Sequence, residues 1–382
     1  MKTTIISALF ILTGWALGQS ASAQSVKVPE APGWQAILVA QGVPNPWGLT
    51  WLPDGRALVT SRRGTLHVLN GDHFDEIPLV GFPAPFVNGE GGLLDVALHP
   101  GDQAGSVRIY MTMSVGTRAK NRMALVRGVY DGMTVSGFEI LFKARPAKSG
   151  SSHFGSRLLW LPDGSLLMSV GDGGNPPLMI GGMLARDQAQ NLGSHLGKIL
   201  RLTEDGAPAP GNPFLGRMGV RPEIYTYGHR NVQGLALDTA GGLWATEHGP
   251  RGGDELNLIK RGRNYGWPLQ SWGFDYQTGE PVGQHFVPGT INSLLHWTPA
   301  IAPSGLTFYT GDDFPAWKGS LFSGGLVSGD ARRIALDPDG IVRFQRRLPL
   351  GARVRNVQQG PDGRLYAITD EVNGKLYRIE PL

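Results

Sequence analysis

One short phrase sets the terms for any fold this chain can adopt. "LPDG" stands at residues 52–55 and again at 161–164, each time between apolar or β-branched runs. The full segments read "LTWLPDGRALVTSR" (49–62) and "LLWLPDGSLLMSVGD" (158–172). "LALDTAGGLWATEHG" (235–249) and "VQQGPDGRLYAITD" (357–370) repeat the design; "IALDPDGIVRF" (334–344) and "VALHPGDQAGSVRIYMTMS" (96–114) are looser copies. A Gly late in the turn between two such runs reads as a β-hairpin, because Gly takes the backbone angles a tight turn requires. Helical periodicity is almost absent, and the best helical stretch, 184–192, is short and polar. Antiparallel hairpins recurring from end to end without a linker predict an all-β chain folded as a six-bladed β-propeller. Long loops are then expected at 172–195, 203–222 and 262–300, lining one end of the central channel. A β-sandwich or two smaller β domains is the competing arrangement.

The first 23 residues fall outside this pattern. Lys2 is followed by an apolar run, 5–17, and by "ASA" at 21–23. This is the pattern of a secretory signal peptide with a small-residue cleavage site, and the run is too short to span a bilayer. The alternative is an uncleaved anchor. Cleavage leaves 24–382 as a single propeller domain, periplasmic or secreted. With no cysteine, neither a disulfide nor a thiolate can contribute. Removing Lys2 leaves 34 Lys and Arg against 31 Asp and Glu, a net charge of +3. The basic residues are scattered, which argues against a nucleic-acid or membrane surface. Two clusters remain, "RR" at 332–333 and "RVR" at 353–355, each large enough for one anionic small molecule.

In a propeller, residues at the strand ends of successive blades converge on one pocket. Four stretches place unusual chemistry at such junctions. His153 stands just before an apolar strand, and Asp172 closes the strand that returns; a carboxylate on one imidazole nitrogen orients the ring and keeps it basic. In "YGHRNVQGLA" (227–236), Arg230 and Asn231 also precede a strand, and Arg230 suits a carboxylate or a polarised carbonyl. In "EHGPRGGDELN" (247–257), the carbonyls around Gly249 and Pro250, with Asp254 and Glu255 near, could hold a hard cation such as calcium, although this is not an EF-hand spacing. Arg353 and Arg355 are two apart on a strand and share a face, where two guanidiniums repel unless they share an anion. Taken singly, each stretch reads as readily as a hairpin cap, a solvated loop or an edge strand. Taken together they describe a base, a polarising Arg, a cation and an anion clamp.

The chain resembles the soluble glucose/sorbosone dehydrogenase family, and within it the bacterial exported aldose sugar dehydrogenases. The resemblance runs over nearly all of residues 24–382. It rests on "PWGLTWLPDG", "GEGGLLDVALHP", "HFGSRLLWLPDGSLLMSVGD", "GKILRL", "YGHRNVQGLA", "EHGPRGGDELN", "NYGWP", "IAPSGLTFY" and "RVRNVQQGPDGRLYAITD", in order. It implies a propeller that uses pyrroloquinoline quinone (PQQ) and calcium to oxidise an aldose at the anomeric carbon to its lactone, passing electrons to an external acceptor. It further implies that His153 is the base with Asp172 as partner. Arg230 and Asn231 would meet the quinone face, Gly249 and Pro250 would give carbonyls to calcium, and Arg353 and Arg355 would pair with PQQ carboxylates. Two positions depart from the family pattern. Val327, in "GGLV" (324–327), stands where the family has a Lys, with Arg332 or Arg333 as candidate replacements. Glu90 stands where Gln is commoner, and a carboxylate there is unfavourable beside an anionic cofactor unless it is protonated or turned toward a cation. A calcium-dependent lactonase and a non-catalytic glycan- or protein-binding propeller are the rival readings.

Overall fold

The hairpins expected around the turns form, and those turning at 52–55, 161–164, 238–242 and 360–363 build the inner half of a sheet. Thr50 pairs with Leu58, Leu159 with Leu167, Ala236 with Trp244 and Gln358 with Tyr366. The turn Asp has a specific task. Its side chain accepts the backbone N–H two residues on: Arg56 on Asp54 (3.0 Å), Ser165 on Asp163 (3.0 Å), Arg364 on Asp362 (3.1 Å). This local bond closes the turn without help from the rest of the fold.

The computed structural model describes residues 28–102 and 105–382, so the predicted leader at 1–23 lies outside the described residues. Six four-stranded antiparallel sheets follow one another along the chain. Their innermost strands are Pro46–Trp51, Leu93–Leu98, Leu158–Trp160, Val232–Leu237, Pro303–Phe308 and Val354–Gln359. Each neighbours the next, and the last returns to the first, so the strands form a closed ring. The sixth sheet takes its outermost strand, Trp34–Val43, from the start of the described chain, in register with Gly374–Pro381. Closing the ring with the two chain ends removes the seam an open ring would leave. The fold is therefore the expected six-bladed propeller.

Second strands such as Ala57–Ser61, Leu166–Val170, Leu243–Glu247 and Leu365–Thr369 are buried along their whole length. Neighbouring blades cover both faces, which explains why these segments read as continuous apolar runs rather than alternating ones. Apolar clusters join consecutive blades. Leu94, Tyr110 and Leu125 pack with Phe154, Leu158 and Met168, and Ala236 and Trp244 pack with Leu306 and Leu321.

Two segments depart from the inner-hairpin pattern. "IALDPDGIVRF" is not an inner hairpin: it joins Asp330–Leu336 to Val342–Pro349, the outer pair of the fifth blade. The inner hairpin there is Pro303–Phe308 with Ser320–Gly325, which has no Pro-Asp-Gly turn. The turn motif reports a tight reversal, not its radial position. The stretch 184–192 holds only a short 3₁₀ helix, Ala185–Ala189.

Candidate active site at one mouth of the channel

The residues just before the inner strands and just after the second strands meet at one mouth. His153 and Asp172 meet as expected: Nδ1 lies 2.7 Å from Asp172 Oδ1, and both residues are buried. Carboxylate oxygens only accept, so Nδ1 carries the proton and Nε2 is the basic nitrogen. Asp172 is held on every side. Its Oδ1 accepts the Gly174 N–H (3.0 Å), and its Oδ2 accepts the Trp267 indole N–H (2.8 Å). Burial alone would raise its pKa, but His153, Arg230 and Trp267 together win and hold the carboxyl below its usual range.

The backbone around His153 is strained and tight. His153 has φ +52°, an uncommon conformation outside glycine. Its carbonyl oxygen lies so near Gly171 that a Cβ there would come within 2.2 Å, so only Gly lets the two segments approach. The His153 N–H donates to Glu90 Oε2 (2.7 Å), and Asn231 Oδ1 accepts the Gly155 N–H (2.9 Å).

Arg230 is buried. It donates to Asn175 Oδ1 (2.8 Å) and the His248 carbonyl (3.2 Å), and its guanidinium lies 5.4 Å from the Trp267 ring centre. Its Nε has no partner among the described residues. Burial first, then Arg230 and Arg355, push His248 down to about 3, so its ring is neutral at ordinary pH. The Gly249 N–H is fixed by Asp254 (2.8 Å), whose other oxygen accepts the N–H groups of Ile301 and Ala302. No hydrogen bond among the described residues ends on the carbonyl of Gly249 or Pro250, which leaves both oxygens available to a hard cation.

Arg353 and Arg355 reach one anion, and it is internal. Asp370 Oδ2 lies 2.5 Å from Arg355 and 3.5 Å from Arg353. Both arginines line a cavity of about 330 Å³ with Arg62, Trp47, Glu90 and His248, a size within the usual range of small-molecule sites. Arg355 Nε is buried without a partner. Val327 lies on the rim, 68% exposed. Neither proposed replacement for the missing Lys reaches it. Arg332 is tied to Asp330 (2.9 Å), and Arg333 to Ser320 (3.1 Å) beside Trp317 and Phe344. Both lie on the fifth blade's third strand, away from the channel.

Several site residues were missed in the sequence. Trp267 was quoted only within a motif. Asp370, Glu247, His248 and Arg62 all close a second strand, as Asp172 does, and the repeat could have singled them out. Glu247 holds the His229 ring (2.9 Å) and the Arg230 N–H (2.7 Å). Burial, then Glu247, pushes the neighbouring Glu255 up to about 8. Lys148, buried against Phe154 next to His153, carried no signal at all.

The sequence profile described as Glucose / Sorbosone dehydrogenase matches residues 43–378. The aldose sugar dehydrogenase YliI of Escherichia coli is 39% identical over 88% of this chain and 90% of its own. The crystal structure of the soluble aldose sugar dehydrogenase from E. coli in its apo form superposes with a TM-score of 0.83, at 36% identity, over 91% of this chain and all of that one. The PQQ-bound aldose sugar dehydrogenase of Streptomyces coelicolor gives 0.71 at 31% identity, over 92% and 99% of the two chains.

Proposed function

This chain belongs to the glucose/sorbosone dehydrogenase family of oxidoreductases, and on that premise we propose that it oxidises an aldose at the anomeric carbon to the lactone, with PQQ and calcium as cofactors and an external electron acceptor. The observation that carries this reading is the buried His153–Asp172 pair beside an arginine-lined cavity. The residues suit the cofactors. Arg230 Nε and Arg355 Nε lack partners, the Gly249 and Pro250 carbonyls are unpaired among the described residues, and Arg62, Arg353 and Arg355 outnumber Glu90 and Asp370 around the cavity. A relative named for PQQ binding shares the fold.

When bound, the quinone supplies a two-electron acceptor and calcium a Lewis acid. The chain's own part is orientation and proton handling. His153 Nε2 takes the proton of the anomeric hydroxyl. Asp172, ionised and held by Trp267 and Gly174, fixes the tautomer and steadies the imidazolium that forms. Arg230 is a fixed charge against Trp267, and with Asn231 it would meet the quinone face. Gly249 and Pro250 would hold calcium, and Arg353 and Arg355 the cofactor's carboxylates. We place the enzyme in the periplasm or outside the cell, with 24–382 as its single domain. No helix among the described residues is long and apolar enough to cross a membrane.

The test is reconstitution of the purified apoprotein with PQQ, calcium, glucose and a dye acceptor. Dye reduction that needs all four, and that a chelator abolishes, supports the proposal. Lactone hydrolysis without PQQ would favour a lactonase, and glycan binding with no turnover a binding propeller.

A further inference from the structure

Among the described residues, Lys148 is a buried cation close to His153 that the reaction above does not use. The residue is 4% exposed, and its Nζ has no hydrogen-bond partner among the described residues. Its position is tightly bounded. The ammonium sits 4.0 Å from the centre of the Phe154 ring, next in sequence to His153. Its Cδ lies 3.2 Å from where a Cβ on Gly173 would stand, next to Asp172. The same Phe154 ring lies 3.1 Å from the corresponding point on Gly91, next to Glu90. Lys148 is thus wedged among the immediate neighbours of the base, its carboxylate partner and the carboxylate that holds the base's N–H.

Asn121, paired with Lys148 through the backbone in both directions, brings only an uncharged amide. The charges that act on Lys148 are Glu90 and Asp172. Burial dominates them and lowers its pKa to about 8. A buried lysine that stays charged at neutral pH without a hydrogen bond costs stability. By contrast, Lys198 is equally buried but donates to three carbonyls, of Gln188, Ala189 and Leu196.

We propose that Lys148 is a positioning residue, the internal counter-cation to the Glu90 and Asp172 carboxylates that flank His153. It meets the condition that Glu90, standing in a Gln position, be turned toward a cation. The catalytic half of this inference rests on His153 being the base.

The test has an arm that needs neither PQQ nor turnover. Lys148 binds its proton less well in the folded chain than in the unfolded one, where the ordinary value is 10.5. The unfolded state therefore holds more protons between about pH 8 and 10.5, and this group makes folding more favourable as pH rises through that window. Apoprotein melting temperatures across pH 6–10.5 should show the parent gaining on Lys148→Met above about pH 8. In Glu90→Gln that gain should begin at lower pH, because the charge supporting the ammonium is gone. No gain in the parent, or an onset indifferent to Glu90→Gln, overturns the proposal. Should the Met form not fold, Lys148→Gln serves in its place.

In the reconstituted enzyme, Lys148→Met should lower kcat by about tenfold, the effect of a one-unit shift in a coupled group, with little change in KM. Adding Glu90→Gln should restore most of the loss, since the uncompensated carboxylate leaves with its partner. Full activity in Lys148→Met, or no rescue by the second change, removes the positioning role. If the parent shows no dehydrogenase activity, the functional reading fails, and the melting arm still decides whether the charges are coupled.

Discussion

The channel has two mouths, built from opposite ends of the same six inner strands, and they differ in kind. The turn mouth holds the larger cavity, about 570 Å³, lined by residues of all six inner strands. The other holds about 330 Å³, yet the His153–Asp172 pair, the arginines and the unpaired carbonyls are there. Around the turns, glycines such as Gly55 (φ +86°) and Gly164 (φ +78°) take the left-handed angles, and each turn Asp satisfies its own backbone. At the site mouth that conformation falls on four non-glycine residues, Asn45, His153, Ser156 and Ala302. Five of the six inner strands also carry a register shift toward that end. Bulges and strained angles gather where a fold must aim side chains rather than reverse the chain. Volume alone would favour the turn mouth; strain, charge and unpaired donors favour the other. Between them lies the buried Asp95–Arg157 pair (3.0 Å), with Arg157 stacked 4.3 Å from the centre of the Trp47 ring.

The contrast between the mouths can be broken by mutation, and the largest effect is expected at His153. His153→Gln should lower turnover by about 10²–10⁴-fold, the usual contribution of a positioned base, with PQQ affinity nearly unchanged. Near-parental activity would remove the base assignment. In the wall between the mouths, Arg157→Met leaves Asp95 as a buried, unpaired carboxylate. It should cost about 3–5 kcal/mol of stability, read by denaturant unfolding, and a loss under 1 kcal/mol would mean that water reaches the pair. Arg355→Ala should weaken PQQ binding by roughly tenfold or more, the worth of a charged hydrogen bond, as measured by titration in excess calcium. Unchanged affinity would reduce the arginines to structural partners of Asp370. Val327→Lys adds a cation at an exposed rim and should tighten PQQ binding by no more than about fivefold, the scale of an exposed ion pair. Arg332→Ala and Arg333→Ala should leave affinity alone, and a loss in either would mean that they reach the site after all. The smallest effect belongs to the turn mouth. His99→Asn, on the larger cavity, should leave kcat and PQQ affinity within about twofold, as expected of an independent, distant site. A larger change would show that the two mouths are coupled.

Legibility in the sequence follows the same division. The turns were readable because Asp54, Asp163 and Asp362 each bond a backbone group two residues away. His153 and Asp172 were readable as a pair because one hairpin joins them across 19 residues. Trp267 reaches Asp172 across 95 residues, and no local pattern announces that contact. Arg332 and Arg333 looked like substitutes for the missing Lys because adjacent charges resemble a cluster in one dimension; the strand that carries them is the third of its blade, and their partners lie within that blade. Glu90 looked unfavourable because its neighbouring cation, Lys148, is 58 positions away in the chain.

By itself the sequence determined the strand-and-turn units, the all-β class, the repeat and the family, because each depends on contacts within a few residues or on motif order along the chain. Only the tertiary structure decided which strand ends share a mouth, that Asp370 already occupies the arginine pair, and that Lys148 stands behind the base. The physical reason is ring closure. Pairing Trp34–Val43 with Gly374–Pro381 brings the first and last strands of the described residues into one blade, and with it sets the distances across the channel, so groups far apart in sequence become partners.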